Sequence, residues 1–128
     1  MKKSNVYNIG SGYVDRGGAE LLWVNENPYS RFPEQTILID NMAKYSLFLV
    51  YHAKVYDRSD RPLECSILIQ DTNTQQMEFL EGYTYRNAIV RDDGIHFSLS
   101  EMINWYSEND SVHDSPNYNI PHRIYGLR

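Results

Sequence analysis

The chain has 128 residues, enough for one domain with its own core and too few for two ordinary ones. Twelve Lys and Arg against seventeen Asp and Glu leave a net charge of −5, which supplies no general attraction to phosphate backbones or anionic membranes and argues against a nucleic-acid partner. No stretch approaches the roughly 18 to 20 apolar residues of a membrane-crossing helix. The basic start Met1-Lys2-Lys3 runs into Ser4-Asn5-Val6-Tyr7-Asn8 rather than an apolar signal segment, so the chain is expected to stay where it is made. The lone cysteine, Cys65, sits in the apolar run Leu63 to Ile69, cannot staple the chain, and reads as an inert buried thiol. Eleven tyrosines beside four phenylalanines suit half-buried strands and surfaces that touch partners or sugars.

From Met1 to Gly18 the sequence is polar, with Gly10, Gly12, Gly17 and Gly18 breaking any period, and it reads as an N-terminal arm, flexible or ordered on assembly. Residues 19–128 then form one unit of short apolar runs separated by turn signals, the pattern of an all-β sandwich or barrel. Leu21 to Val24 ends at Asn25-Glu26-Asn27-Pro28, and Thr36 to Ile39 ends at Asp40-Asn41. Tyr45 to Tyr56 alternates Leu47, Leu49, Tyr51, Ala53 and Val55 on one face with Phe48, Val50, His52, Lys54 and Tyr56 on the other, so its second half should be one-sided. The charged turn Asp57 to Pro62 leads to a strand from Leu63 to Ile69, and Asp71 to Gln75 is a polar loop. In Asp92-Asp93-Gly94, residues that tolerate positive φ predict a tight hairpin over Val90 to Leu99, where Ile95, Phe97 and Leu99 alternate with His96, Ser98 and Ser100. Ser98 to Tyr106 also fits helical spacing, with Ser98-x-x-Glu101 as a capping box. Asn104 to Asn119 reads as a long surface loop before a terminal strand, Ile120 to Leu127.

Ile37 to Ile39, Leu47 to Val50 and Ile67 to Ile69 are apolar at consecutive positions, which makes both faces of a sheet apolar. A domain this small has limited means to cover two faces, so self-association as a trimer is expected.

Chemistry is thinly represented, and no catalytic residue is assigned. Ser111, His113 and Asp114 are neighbours in one polar loop, whereas a triad is assembled by the fold and needs an oxyanion site. His52, His96, His113 and His122 have no paired ligand spacing and read as exposed strand or loop histidines, so no metal and no cofactor is expected. The better lead is aromatic: Trp105, Tyr106 and Tyr118 lie in or beside the long polar loop, placed either to stack on a sugar or dock a partner, or to fold back over the domain edge. Trp23, between Leu22 and Val24, reads as core or subunit interface.

Two stretches carry a resemblance. Glu20 to Ile37 holds Leu22-Trp23, the turn Asn25-Glu26-Asn27-Pro28, Phe32, and Gln35-Thr36-Ile37 opening the next strand; the C-terminal stretch is Ile120-Pro121-His122-Arg123-Ile124-Tyr125-Gly126-Leu127-Arg128. Together they resemble C-terminal modules of tail-fibre, receptor-binding and related virion proteins from phages of Gram-positive bacteria. The resemblance implies a jelly-roll-like antiparallel β-sandwich, commonly trimeric, mounted on a virion. Its partners would be copies of itself, other virion proteins, and a host-surface glycan or protein. In many relatives the module tips a long fibre; here a short arm precedes it, which leaves head decoration or a tail accessory role open. The motif residues make sense as scaffold: Pro28 and Pro33 stiffen a connection, Trp23 and Phe32 supply large buried areas, Gly126 permits close backbone approach near the end, and Tyr125 is counted with them as scaffold or interface. The competing expectation is a lectin-like module or carbohydrate-active enzyme, the latter requiring two polar or acidic groups converging in one pocket.

Overall fold

Apolar side chains at every second position need a second layer to cover them. The computed structural model describes residues 18–57, 62–79, 84–103 and 112–128. These hold nine strands: β1 (Ala19–Val24), β2 (Gln35–Leu38), β3 (Leu47–Val55), β4 (Glu64–Ile69), β5 (Thr74–Phe79), β6 (Thr84–Arg91), β7 (Gly94–Ile103), β8 (Val112–Ser115) and β9 (Tyr118–Leu127). Among the described residues one 3-10 turn, Met42–Lys44, precedes β3. One sheet runs β1-β9-β3-β4. The other runs β2-β7-β6-β5, with β8 continuing the line of β2 along the same edge of β7. Every pairing is antiparallel, and the architecture is consistent with a β-sandwich. The shared core takes Phe48, Val50 and Ile124 from the first sheet, Met77, Val90, Ile95 and Phe97 from the second, and Phe32 from the β1–β2 connection.

The hairpin read at Val90 to Leu99 is present, with Asp92-Asp93 as its two-residue turn and Arg91 opposite Gly94. Its glycine serves another purpose than the one expected. Among described non-glycine residues only Asn41 and Asn119 have positive φ, and Gly94 does not have it either. A Cβ on Gly94 would overlap the carbonyl oxygen of Ile37, because Gly94 is the register partner of Leu38 at the end of β2.

Several other expectations are corrected. Residues 98–103 continue β7 and are not helical, since Ser100 to Ile103 pair with β8; residues 104–106 lie outside the described set. Within the stretch read as a loop, Val112–Ser115 is a strand, and β9 begins at Tyr118 rather than at Ile120. Cys65 is exposed, because Ser66 and Leu68 take the inward side of β4. His52 and His122 are buried: His52 follows the inward parity of Phe48 and Val50, and the one-sided second half expected for β3 is lost. At Tyr51/His52 the register against β9 slips by one residue and leaves His122 unopposed. The expected arm lies almost wholly in residues 1–17, outside the described set.

Arg86 is the least expected core residue, at 0% exposure. Its guanidinium donates to four main-chain carbonyls: Nε to Asn119 at 2.9 Å, one terminal nitrogen to Phe32 at 3.0 Å and Ser98 at 2.6 Å, the other to Tyr118 at 2.7 Å. It also lies 5.2 Å over the Phe32 ring. Burial pulls its pKa down to about 10, which still leaves it charged at neutral pH. At the edge of the first sheet, the Gln75 side chain occupies both main-chain groups of Ile69, accepting from its N–H at 2.9 Å and donating to its carbonyl at 3.0 Å.

Two substitutions test these contacts. Gly94→Ala is expected to displace β2 and cost about 3 kcal/mol in urea denaturation; an undiminished midpoint would show that the β2–β7 approach is not constrained. Arg86→Met strands four buried carbonyls and is expected to cost roughly 4 kcal/mol. Arg86→Lys should recover little of that loss, because one ammonium cannot span the same acceptors.

Candidate functional site

The β1–β2 connection is held open by main-chain contacts to the start of β9. Asn25 donates from its N–H to the His122 carbonyl and from Nδ2 to the Pro121 carbonyl, both at 2.8 Å. The Asn25 Oδ1 then accepts the Asn27 N–H at 2.8 Å, an Asx turn that feeds a β-turn closed by Ser30 N–H to the Asn27 carbonyl at 3.1 Å. Pro28 sits at the second position of that turn, where its fixed φ fits. Phe32 N–H reaches the Pro116 carbonyl at 2.9 Å and anchors the far end of the loop.

Between this loop and the ends of β1 and β2 lies a cleft of about 330 Å³. Its apolar lining is Trp23, the exposed Val24, and the buried Phe32 and Ile37 that form its floor, and its polar lining is Asn25, Glu26, Asn27, Ser30, Arg31 and Gln35. Trp23 reaches the floor through a bulge: Leu21 pairs with Tyr125 and Trp23 with Ile124, so Leu22 is the extra residue and both Leu22 and Trp23 pack towards the core. The Trp23 ring meets Phe32 edge-on at 6.1 Å, and Phe32 meets Phe97 edge-on at 5.8 Å, which fixes the floor from beneath. Arg31 is held by Asn117 Oδ1 at 2.9 Å and lies 4.9 Å over the Tyr56 ring.

Residues expected to be functional are distributed differently. Trp105 and Tyr106 lie outside the described residues. Tyr118 opens β9, half-buried; its N–H donates to Ser100 Oγ at 3.1 Å and its carbonyl serves Arg86, so its main chain belongs to the scaffold. Trp23 and Phe32, expected as scaffold, also line the cleft. Tyr125 is buried on the opposite side of β9 from Ile124 and stands edge-on to Tyr51 at 5.6 Å. Gly126 gives room to side chains rather than main chain, since a Cβ there would come within 2.6 Å of the Tyr45 ring and 2.8 Å of Leu22. Sequence reading missed Glu26, Arg31 and Gln35; the available signal was their concentration around Trp23 in the segment that carried the family resemblance.

A second polar cluster lies on the outer face of the β2–β7 sheet. Thr36 Oγ1 is 2.8 Å from His96 Nδ1, and His96 Nε2 is 2.9 Å from Glu34 Oε2, because Thr36 and His96 are register partners. The hydroxyl, imidazole and carboxylate are in line, but Thr36 and His96 lie within a sheet ladder, and neither lines the cleft. Among the described residues no three His, Cys, Asp or Glu side chains gather in a way that would hold a metal ion. The cleft itself contains one carboxylate, Glu26.

Behind the cleft the interior is polar. His52 Nε2 is 2.8 Å from Ser66 Oγ, and Asn119, in the left-handed region at φ 50°, donates to Thr84 Oγ1 at 3.1 Å. Burial drives the His52 pKa from 6.5 down to about 4, opposed by a hydrogen bond with Asn119 and reinforced by Arg86 and His122. Burial also lowers His122, which stands edge-on to Tyr29 at 5.6 Å. No family model, curated protein or solved structure matches the chain.

The histidine shifts make stability depend on pH. Between pH 6.5 and about 4 the unfolded chain binds protons that the folded chain refuses, so stability is complete above 6.5 and falls on acidification. Chemical denaturation at pH 7 and pH 5 is expected to differ by roughly 2 kcal/mol through His52. In His52→Gln the difference should shrink; an unchanged difference would assign the effect to other groups.

Proposed function

We propose that the chain is a non-enzymatic virion structural module of a bacteriophage, of tail-fibre, receptor-binding or decoration type, that assembles through its sheet faces and mediates attachment or particle assembly. The observation that carries this reading is apolar surface on regular strands: Leu38 is 71%, Ile67 62% and Ile69 51% exposed. Leu47 lies between Ile69 and Leu127 in one cross-strand row, and Leu49 beside Ile67 in the next, where the row ends at the buried Tyr125, so the outer face of the first sheet offers an apolar band centred on β4 and β3 for another chain. The family resemblance at residues 20–37 and 120–128 favours a trimer and a virion setting. A jelly-roll-like reading is supported by the nested pairing of β1 with β9 and β2 with β7; the hairpins β3–β4 and β5–β6–β7 depart from it. The partners are copies of the chain, other virion proteins, and a host-surface glycan or protein. The net charge of −5 argues against nucleic acid.

The competing lectin-like reading draws on the Trp23 cleft and is compatible with attachment. A carbohydrate-active enzyme would draw on Thr36, His96 and Glu34, but their side chains point away from the cleft onto an open sheet face.

Sedimentation equilibrium at micromolar concentration is expected to give three times the 15.0 kDa chain mass. The Ile67→Asp/Ile69→Asp double variant should sediment as a monomer while retaining its far-ultraviolet β signal. A monomeric wild type overturns the assembly half of the reading. Absence of the chain's peptides from gradient-purified phage particles overturns the virion half.

A further inference from the structure

We propose that the free edge of β2 is a strand-addition site that takes an extended, basic segment of a partner protein. This contact surface is separate from the sheet face of the proposed function, and it rests on that reading only in that the chain has protein partners.

Main-chain parity fixes which groups of β2 are open. Ile39 N–H donates at 3.0 Å to the carbonyl of Asp93, the residue opposite it when the β2–β7 register is continued by one step. In an antiparallel ladder the orientation then alternates, so Ile39, Ile37 and Gln35 turn their main-chain groups towards β7, while Thr36 and Leu38 turn theirs away. β2 ends its sheet, and β8 lies in line with it along β7 rather than beside it. Among the described residues no main-chain hydrogen bond reaches the outward N–H groups of Thr36 and Leu38. Two donors and two acceptors therefore stand in a row, the set that an added strand takes up.

The edge of β4 is closed at Ile69 by the side chain of Gln75. On β2 the corresponding side chain, Gln35, turns back to the Pro33 carbonyl and leaves the edge uncovered. Leu38 is 71% exposed beside it. Alternate side chains of an added strand would meet different surroundings: Leu38 and Thr36 on the outer face, and the polar lining of the cleft around Gln35 and Glu26 on the inner one.

Charge selects the partner. The exposed Glu34 and Asp40 bracket β2, the exposed Asp92 and Asp93 form the turn beside its far end, and Glu26 lines the cleft with Gln35. The cationic groups facing them are His96, 2.9 Å from Glu34, Arg31, already held by Asn117, and Arg91 at the base of the hairpin turn. A lysine-bearing strand gains at both ends of this edge. A second copy of β2 laid antiparallel would bring Glu34 against Asp40, so the same carboxylates that admit a basic strand disfavour pairing between copies.

The test is a titration of the full-length ¹⁵N-labelled chain with the blocked nonapeptide Lys-Val-Lys-Thr-Lys-Val-Lys-Thr-Lys, its counterpart with glutamate for lysine, and the basic peptide N-methylated at alternate residues along either edge. Because β2 is four residues long, the basic peptide is expected to bind weakly, with a Kd of about 0.5 mM, shifting the amides of residues 35–40 saturably and slowing hydrogen exchange at Thr36 and Leu38. The glutamate peptide and both methylated peptides should bind at least about tenfold more weakly. Leu38→Pro removes an outward donor and no ladder bond to β7, so it should keep the fold, abolish the shifts and leave the sedimenting mass unchanged. The proposal is overturned if the basic peptide gives no saturable shifts at residues 35–40, if the methylated peptides bind as tightly, which would reduce the effect to charge, or if the glutamate peptide does. Slow exchange of both amides in the free chain, showing the edge already filled, overturns it as well. Sedimentation and titration report separately: a trimer that ignores the basic peptide loses the edge site and keeps the assembly reading, whereas a monomer that binds it does the reverse.

Discussion

Among the described residues one fully buried cation organises the middle of this fold. Arg86 sits on β6 between the two sheets, and among the described residues no carboxylate neutralises it. Four carbonyl dipoles from three separate segments do so instead: the β1–β2 connection at Phe32, the irregular stretch of β7 at Ser98, and the start of β9 at Tyr118 and Asn119. Phe32 lies outside the strands, Ser98 falls at the register shift between β6 and β7, and Tyr118 and Asn119 lie on β9 before its pairing with β1 begins, with Asn119 in the left-handed region, so these carbonyls are open to the guanidinium. The cation and the irregularities therefore require each other: straight strands would leave it unsolvated, and without it the carbonyls would be buried and unpaired.

The same dependence reaches the cleft. Phe32 is fixed at its carbonyl, its N–H and its ring face, and Trp23 rests against it. Bulges supply the remaining geometry. Leu22 on β1 turns Trp23 inwards, and His122 on β9 absorbs the one-residue slip against β3 at Tyr51/His52, while the regular β3–β4 pairing sets His52 diagonally across from Ser66. A mixed interior results, with a hydrocarbon half around Phe48, Val90 and Ile95 and a polar half around His52, Asn119 and Thr84.

Much of the fold was legible because period-two patterning is a strong signal. Ile95, His96 and Phe97 alternate in sequence and in burial, and the strands around Trp23, Ile37, Leu49, Leu68 and Ile124 fall where apolar runs meet turn residues. The doubled apolar runs were also informative, since Leu38, Ile67 and Ile69 are the members left facing outwards. Failures cluster where side-chain type and strand parity disagree. Arg86 and His52 are polar residues on inward positions, and Cys65 is an apolar-compatible residue on an outward one; parity is decided by register, which local composition does not record. Asp-Gly at Asp93-Gly94 signalled the correct hairpin for a different reason, because the glycine answers to Ile37, 57 residues away in sequence. The cleft was half visible. Its aromatic floor stood out, while Asn25, Glu26 and Asn27 read only as turn formers, a role they also fill.

Gln75 bears on how such a domain associates. Ile67 and Ile69 lie on β4, the outermost strand of its sheet, and an uncovered edge beside greasy side chains invites another strand to extend the sheet indefinitely. By placing its amide where the next strand's peptide group would sit, Gln75 terminates the ladder at Ile69 with a side chain from the opposite sheet. Growth along the hydrogen-bonding direction is thereby blocked at that end, so the self-association we propose would have to use the flat of the sheet, where a rotationally symmetric cluster can close upon itself instead of propagating as a filament.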